Sequence, residues 1–127
     1  MTDEQLLQHA ADVRKNAYAP FSEFYVGAAL LTADGKLYTG CNVENSSYGL
    51  SICAERNAIA AMVAAQGHTG IQRVAVVANR LASPCGACRQ VIVEFGDEIE
   101  VISASADDRG NISRWRITEL LPAHFKL

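Results

Sequence analysis

The pattern of apolar and polar positions predicts a helix and then a strand hairpin in the first third of the chain. Apolar residues recur at helical spacing over Thr2–Tyr18, and Thr2-x-x-Gln5 is a capping signature at the helix start. Strands are predicted over Tyr25–Thr32 and Lys36–Cys41, because these runs bracket Asp34-Gly35, a dipeptide typical of tight hairpin turns. The two strands are therefore expected to pair antiparallel.

Helices and strands alternate through the rest of the chain. The Ala-rich run Cys53–Ala65, ended by Gly67, and the run Cys85–Phe95, ended by Gly96, are both typical of helices. Between them, the β-branched run Arg73–Ala78 predicts a buried strand. The later elements are predicted as a strand at Glu98–Ser103, a turn at Asp107–Asn111, an edge strand at Ile112–Ile117 and a helical turn at Thr118–Leu121.

This order of elements predicts an α/β fold. Strands alternate with helices after an opening hairpin, which favours a mixed five-stranded sheet covered by helices in a three-layer α/β/α arrangement. The chain has 127 residues, half of them hydrophobic, and so fits one compact domain over residues 1–127. The predicted connections are short and leave no room for a linker or an internal repeat.

Composition narrows the expected partners and compartment. The formal net charge is -3 and no run of Lys and Arg occurs, so neither nucleic acid nor an anionic bilayer is an expected partner. The N-terminus is polar and acidic, unlike a secretory or transit segment, and no apolar stretch is long enough to span a bilayer. We therefore expect a cytoplasmic protein that acts on small molecules. In that reducing compartment, closely spaced cysteines indicate metal binding or catalysis rather than a disulfide framework.

Two short motifs place three cysteines and one carboxylate at predicted helix starts. They are Cys53-Ala54-Glu55 and Pro84-Cys85-Gly86-Ala87-Cys88. The free N–H groups and the positive dipole end of each helix lower thiol pKa values there and favour metal binding. Three thiolates on Zn²⁺ leave its fourth tetrahedral position open for a water, and a carboxylate such as Glu55 can move that water's protons. The expected chemistry is hydrolytic, with one Zn²⁺ per chain.

Arg56, next to Glu55, has a predicted role beside the metal. Three thiolates and Zn²⁺ together carry a net charge of -1, which makes a bound water less acidic than in a site with neutral histidine ligands. Hydrogen bonds from a guanidinium to the sulfur atoms would withdraw electron density and offset that charge. The same spacing also fits an exposed arginine on the outside of the helix.

Other interpretations of these residues stay open at this point. Cys85-x-x-Cys88 alone is typical of a thioredoxin-like redox pair, although such a pair needs no second helix-start cysteine with an acid two residues later. Cys41 could supply a fourth thiolate and make the zinc purely structural, but it stands without a close partner, which favours a small core residue. Glu55 could be an ordinary first-turn carboxylate favoured by the helix dipole.

The two motifs together resemble the zinc deaminase signature in its Cys₃ form. The chain as a whole resembles the small homotetrameric cytidine deaminases, which implies a cytidine deaminase-like fold. The matching segments occur in order over nearly the whole chain: Tyr18-Ala19-Pro20-Phe21-Ser22, Phe24, Val26-Gly27-Ala28-Ala29, Gly40-Cys41-Asn42-Val43-Glu44-Asn45, Tyr48-Gly49, Cys53-Ala54-Glu55-Arg56, Ser83-Pro84-Cys85-Gly86-Ala87-Cys88-Arg89-Gln90 and Leu120-Leu121-Pro122.

The resemblance implies a substrate and a role for individual residues. Zinc would be bound by Cys53, Cys85 and Cys88, and Glu55 would shuttle protons while zinc hydroxide attacks C4 of cytosine and ammonia leaves. Cytidine and 2′-deoxycytidine, substrates of pyrimidine salvage, would become uridine and 2′-deoxyuridine. The other implied contacts are Phe24 beside the pyrimidine, Asn42 and Glu44 on the sugar 3′-hydroxyl, the Ala54 backbone N–H on the base O2, and Tyr48 and Phe125 in contacts between subunits of a homotetramer.

Three rival functions are compatible with parts of this pattern. A blasticidin-S deaminase would share the fold and the zinc machinery. A deaminase of cytosine within a polynucleotide would show a basic groove and extra loops, which this short acidic chain lacks. A zinc-stabilised binding module would keep the metal without catalysis, and a substitution of Glu55 separates it from an enzyme.

Overall fold

A five-stranded mixed sheet runs through the middle of the molecule. The computed structural model describes all 127 residues. The sheet order is β2-β1-β3-β4-β5, in which β3 and β4 run parallel and the other neighbours antiparallel. The strands are β1 (Gly27–Thr32), β2 (Leu37–Cys41), β3 (Ile71–Ala78), β4 (Glu100–Ser105) and β5 (Asp108–Arg116).

Helices cover both faces of this sheet, so the predicted three-layer α/β/α fold is confirmed. One face packs against α1 and the other against the remaining helices, and each face has its own cluster of buried apolar side chains. No helix combines the length and the apolar composition that crossing a bilayer requires. The helices are α1 (Asp3–Arg14), α2 (Ala54–Gln66), α3 (Gly86–Val93) and α4 (Ile117–Leu120), with a 3₁₀ turn at Tyr48–Leu50.

The central strand β1 shows why the sequence gives two cores. All six of its residues are buried. Side chains alternate between the faces of a strand, and accordingly Ala28 and Leu30 belong to the cluster under α2 and α3, while Ala29 and Leu31 belong to the cluster under α1. A strand buried on both faces reads as a continuous apolar run, which is the pattern of this segment.

Helix α1 begins as predicted but ends four residues earlier. The capping box at its start is present, with the Gln5 N–H donating to the Thr2 hydroxyl at 3.1 Å and the Thr2 N–H donating to the Gln5 side chain at 2.9 Å. The helix stops at Arg14 because Tyr18 pairs elsewhere: its N–H donates to the carbonyl of Asn42 at 3.0 Å, and its carbonyl accepts from Glu44 at 2.8 Å. The spacing of apolar residues in the sequence cannot predict the pairing of Tyr18 with Asn42 and Glu44, so it predicts a helix that is too long.

The β4–β5 hairpin also differs from the prediction. The turn expected at Asp107–Asn111 is instead the two-residue loop Ala106-Asp107, and Ser105 pairs with Asp108 across it. The parallel register of β4 with β3 extends β4 to Ser105, which pairs with Ala78. Polar residues after Asp107 therefore lie in an exposed edge strand, where a turn-like composition is tolerated.

Gly40 sets the distance between β2 and α2. A Cβ added at Gly40 would lie 2.4 Å from the backbone N of Ala58 and 2.7 Å from the backbone O of Ala54. Helix backbone atoms cannot move aside as the end of a flexible side chain can. The close approach matters for the site, because the start of α2 carries Cys53 and Glu55.

We predict that Gly40→Ala lowers the free energy of unfolding by about 2–3 kcal/mol, since overpacking against a helix backbone forces α2 away from the sheet. Urea denaturation in the presence of zinc measures the change. Gly110→Ala is the matched control, because a Cβ at Gly110 meets nothing within 4 Å, and its effect should stay within about 0.5 kcal/mol. Equal urea midpoints for the two variants would contradict the prediction.

Candidate metal and catalytic site

The fold brings Cys53, Cys85 and Cys88 together from two helix starts. Cys53 is the N-cap of α2 and Cys85 the N-cap of α3, while Cys88 lies in the first turn of α3. The three Sγ atoms all lie within 4.8 Å of one another, and those of Cys53 and Cys85 are 3.8 Å apart. Bonds of about 2.3 Å from Zn²⁺ to tetrahedral thiolates place sulfur atoms about 3.8 Å apart, so the donor set and its spacing fit a zinc ion.

Hydrogen bonds shift the pKa values of Cys53 and Cys88 in opposite directions. The N–H of Cys88 donates to Cys85 Sγ at 3.5 Å, and the positive ends of both helix dipoles lie beside the sulfur atoms. Hydrogen bonds from Cys88, Arg56 and Cys85 lower the pKa of Cys53 to about 5. The hydrogen bond shared with Cys53, together with burial, raises the pKa of Cys88. The Cys53 thiol therefore ionises first, and the other two thiols stabilise its negative charge by hydrogen bonds. A bound cation would stabilise further negative charge on the three sulfur atoms.

No fourth cysteine joins the three thiols. Cys41 lies outside the cluster at the end of β2, where its carbonyl accepts a hydrogen bond from Asn57 Nδ2 at 2.8 Å. The alternative in which Cys41 completes a Cys₄ site is therefore wrong for this structure. Glu55 is also absent from the group of possible metal donors, so the protein offers three ligands.

Glu55 and Arg56 lie beside the cluster in the first turn of α2. The Glu55 side chain is buried, at 5% relative exposure, and this burial raises the pKa of its carboxyl to about 7. The Nη2 of Arg56 lies 3.6 Å from Cys53 Sγ, which is hydrogen-bonding distance for sulfur. The Arg56 Nε is buried without a hydrogen-bond partner. The guanidinium thus turns toward the sulfur atoms rather than toward solvent.

A pocket of about 200 Å³ opens onto Cys53, Cys85 and Glu55. Its walls are mostly apolar and come from the segment before β1, the end of β3 and the loop before α3. Ala54, the first residue of α2, contributes a backbone N–H that has no partner within its own helix. Besides Cys53, Cys85, Glu55 and Ala54, the lining residues are Phe24, Val26, Asn42, Val76, Ala78, Ala82 and Ser83. The volume suits a small planar ring better than a drug-sized ligand.

Asn42 and Glu44 both hold the loop that carries Phe24. The Asn42 side chain accepts from the N–H of Val26 and donates to the carbonyl of Phe24, both at 2.8 Å. The Glu44 carboxylate accepts from the Ser22 hydroxyl and from the backbone N–H of Phe21 at 3.0 Å. The Ser22 hydrogen bond is the main reason that the pKa of Glu44 lies below its usual value.

Tyr48 and Phe125 do not line the pocket of the single chain. Tyr48 is 91% exposed and, with Glu44, borders a wider depression of about 490 Å³. Phe125 is 69% exposed, and its carbonyl accepts a hydrogen bond from Gln90 Nε2 at 2.9 Å. Within one chain, the structure therefore brings together the cysteines, Glu55, Arg56, Ala54, Phe24 and Asn42, but leaves these two aromatic rings outside.

Arg89 and Ser103 organise the loop that carries Cys85 and were not identified by the sequence analysis. Arg89 donates to the carbonyl of Pro84 at 2.8 Å, to the Ser83 hydroxyl at 2.9 Å and to the carbonyl of Leu120 at 2.9 Å, so it ties the cysteine loop to α4. The buried hydroxyl of Ser103 donates to the carbonyl of Ala82 at 2.7 Å. Arg89 directly follows Cys88, which was a usable signal, whereas nothing local marks Ser103.

Known proteins are similar to this chain in sequence and in fold. Residues 1–104 match the sequence family described as "Cytidine and deoxycytidylate deaminase zinc-binding region". The cytidine deaminase of Sporosarcina psychrophila is 42% identical over 127 residues, which cover 98% of this chain and 92% of that protein. The crystal structure of cytidine deaminase from Burkholderia pseudomallei superposes with a TM-score of 0.92 at 45% identity, covering 98% of this chain and all of that one. The chain belongs to the cytidine deaminase family.

Membership of the cytidine deaminase family confirms the predicted enzyme class and fold. The cytidine deaminase of Mycobacterium tuberculosis gives the same result, with a TM-score of 0.85, 38% identity and complete coverage of both chains. A relative from Dictyostelium discoideum, named a probable cytidine deaminase, is 47% identical over 107 residues, covering 82% of this chain and 71% of that protein. The matched family region is named for zinc binding and contains all three clustered cysteines.

We predict that Cys88→Ser abolishes zinc binding whereas Cys41→Ser retains about one zinc per chain. A serine hydroxyl is a much weaker zinc ligand than a thiolate, and Cys41 lies outside the cluster. Zinc content is measured by elemental analysis after dialysis of the purified proteins. Loss of zinc from both variants, or from neither, would contradict the three-thiol site.

Proposed function

We propose that the protein catalyses the hydrolytic deamination of cytidine and 2′-deoxycytidine to uridine and 2′-deoxyuridine, with release of ammonia, in pyrimidine salvage. The observation that carries the proposal is the buried carboxylate of Glu55 in a small apolar pocket that is also lined by Cys53 and Cys85, two members of the three-thiol cluster. The names of the relatives support the choice of cytidine as substrate.

One Zn²⁺ per chain is the proposed cofactor, held by Cys53, Cys85 and Cys88. The fit of the donor set is supported by the 3.8 Å separation of two sulfur atoms and by the absence of a fourth cysteine from the cluster. When bound, the zinc ion supplies the Lewis acidity that makes a water nucleophilic at neutral pH. The remaining steps belong to side chains and backbone groups of the protein.

Glu55 is the proposed proton carrier. Its carboxylate takes a proton from the attacking water and delivers it to the base, so that the amino nitrogen at C4 leaves as ammonia and an oxygen takes its place. The overall reaction consumes one water and changes no oxidation state. A carboxyl whose pKa lies near neutrality can both accept and donate a proton under working conditions, and burial gives Glu55 that property.

The pocket residues are proposed to orient the nucleoside. Phe24 packs beside the pyrimidine, and the Ala54 N–H donates to the base O2. Asn42 and Glu44 are proposed to bind the sugar 3′-hydroxyl. Both already hold the loop before β1, yet the Asn42 amide keeps one free N–H and the Glu44 carboxylate keeps acceptor capacity.

A homotetramer and a cytoplasmic location complete the proposal. Tyr48, Leu50 and Phe125 are large apolar side chains with more than 60% exposure in the single chain, which supports their burial against other subunits. Tyr48 and Phe125 would then contribute to the pocket region. A reducing compartment is supported by the close spacing of Cys53, Cys85 and Cys88, which suits a metal site that needs reduced thiols.

We expect Glu55→Gln to keep about one zinc per chain and the wild-type fold while losing turnover by about three orders of magnitude or more, because proton transfer is removed and ligation is not. Ammonia release from cytidine and zinc content are measured on the same sample. The matched control is Glu4→Gln, since Glu4 occupies the same second helical position in α1 and is exposed. Comparable losses in both variants would mean that Glu55 acts only as a first-turn carboxylate.

The wild-type protein should be assayed with cytidine, 2′-deoxycytidine and blasticidin S under the same conditions. Faster turnover of blasticidin S than of either nucleoside would favour the blasticidin alternative. Stoichiometric zinc without ammonia release from any of the three would reject the enzymatic proposal for these substrates.

We expect Arg56→Gln to retain zinc and to slow deamination about tenfold at neutral pH, because the guanidinium at 3.6 Å no longer draws charge from Cys53. Steady-state rates between pH 5 and 9 provide the measurement. Arg56→Lys keeps the positive charge but lacks the planar guanidinium, so its deamination rate should lie between those of the wild type and Arg56→Gln. A pH–rate profile for Arg56→Gln that coincides with that of the wild type would exclude this role.

A further inference from the structure

Side chains make most of the hydrogen bonds that hold the segment Glu23–Val26, which carries Phe24 into the pocket wall. The backbone bonds are at its two ends, from the Asn42 N–H to the Val26 carbonyl at 3.2 Å and from the Glu23 N–H to the Ala19 carbonyl at 2.9 Å. The segment leads directly into β1, but the strand pairing of β1 begins only at Gly27. Glu23 has a positive φ of 57°, so the chain turns sharply before it becomes extended. Something other than the sheet must therefore fix the position of Phe24.

An asparagine directly follows each of the two strands that flank β1. Asn42 follows β2, and Asn79 follows β3. The Asn79 side chain accepts from the N–H of Tyr25 at 3.0 Å and donates to the carbonyl of Glu23 at 2.9 Å. A side-chain amide presents one carbonyl and one NH₂ group, as two peptide units of a neighbouring strand would. Each asparagine thus continues the ladder beyond the end of its own strand.

The contacts alternate in the manner of an extended chain. Backbone groups of Phe24 and Val26 bond to Asn42 on one side, and those of Glu23 and Tyr25 bond to Asn79 on the other. This matches the alternation of hydrogen-bonding direction along a strand. The segment is therefore clamped from both edges, although neither edge is a strand at this point.

Arg14 fixes which way the Asn79 amide faces. Its Nη2 donates to Asn79 Oδ1 at 2.6 Å, and its Nε donates to the carbonyl of Tyr25 at 2.8 Å. Because the guanidinium can only donate, the oxygen of Asn79 must face it, which leaves the NH₂ group for Glu23. The last residue of α1 thereby links the clamp to the core of the fold.

Arg80 acts on the ring of the same aromatic residue. Its guanidinium carbon lies 4.9 Å from the centroid of the Phe24 ring, within the range of a cation–π contact. Phe24 lines the pocket and Arg80 does not. The guanidinium therefore contacts the ring without lining the pocket, and this contact restricts how far the ring can move.

We propose that Asn79 and Arg80, the two residues after β3, are positioning residues for Phe24, which sets the aromatic wall against which the substrate base packs. Asn79 holds the backbone on either side of Phe24, and Arg80 holds its ring. The role of this wall in catalysis rests on the proposed function, whereas the clamp itself is a property of the fold. Asn79 gives a cleaner test than Asn42. Asn42 also lines the pocket, so replacing it would change the pocket wall itself as well as the position of Phe24.

A less firmly held Phe24 should weaken substrate binding more than it slows the deamination step. Phe24 contacts the base before and during the reaction, so its packing contributes equally to the ground state and the transition state. Losing an interaction of that kind raises KM and leaves kcat nearly unchanged. A general loss of structure would instead lower kcat and zinc content together.

The test compares Asn79→Ala and Arg80→Ala with wild type and with Arg73→Ala. Arg73 lies at the other end of β3 and bonds to Asp3 and to the Met1 carbonyl, so its loss weakens the same strand far from the pocket. For cytidine, we expect KM to rise about three- to tenfold in Asn79→Ala and about two- to fivefold in Arg80→Ala, with kcat within about twofold of wild type. Arg73→Ala should lower thermal stability without raising KM.

Hydrogen–deuterium exchange of the peptide covering residues 21–28 provides a readout that does not depend on activity. Asn79→Ala should exchange faster there, with unchanged exchange at the cysteine loop and unchanged zinc content. Wild-type exchange in this peptide, or an equal rise of KM in Arg73→Ala, overturns the positioning role. If the wild type fails to deaminate cytidine, the proposed function fails separately, and the exchange result still decides whether Asn79 fixes the segment.

Discussion

The meeting of two helix N-termini at one point is the constraint on which the site depends. Cys53 begins α2 and Cys85 begins α3, and their sulfur atoms lie 3.8 Å apart. Like charges would separate these helix starts unless the thiolates between them carried the opposite charge. The close contact of α2 with β2 at Gly40 and the bonds of Arg89 to the loop before α3 hold both helices in this arrangement.

The sheet contributes to the pocket through the places where its strands end. β2 and β3 stop beside the start of β1, and the chain beyond each of them turns into a loop that lines or borders the pocket. The side chains of Asn42 and Asn79 satisfy the backbone groups of the segment before β1, so the sheet can open without leaving those groups unpaired.

Local signals in the sequence account for most of what could be predicted. The order of elements, the mixed sheet and the clustered cysteines follow from apolar periodicity, turn dipeptides and cysteines next to helix starts. The early end of α1, the short β4–β5 loop and the roles of Asn79 and Ser103 depend on partners far along the chain. For example, Ser103 and Ala82 are separated by a helix, and no spacing within either segment predicts their hydrogen bond.

The charges around the pocket nearly balance when the proposed zinc ion is included. With a divalent cation bound, three thiolates leave one negative charge, and an ionised Glu55 adds another in a buried place. Arg56 contributes one positive charge at 3.6 Å from Cys53, and the two helix N-termini contribute about half a charge each. The total is close to zero, so a carboxylate can ionise there without the large cost of an isolated buried charge. Removing either the arginine or one helix start would leave part of that negative charge uncompensated.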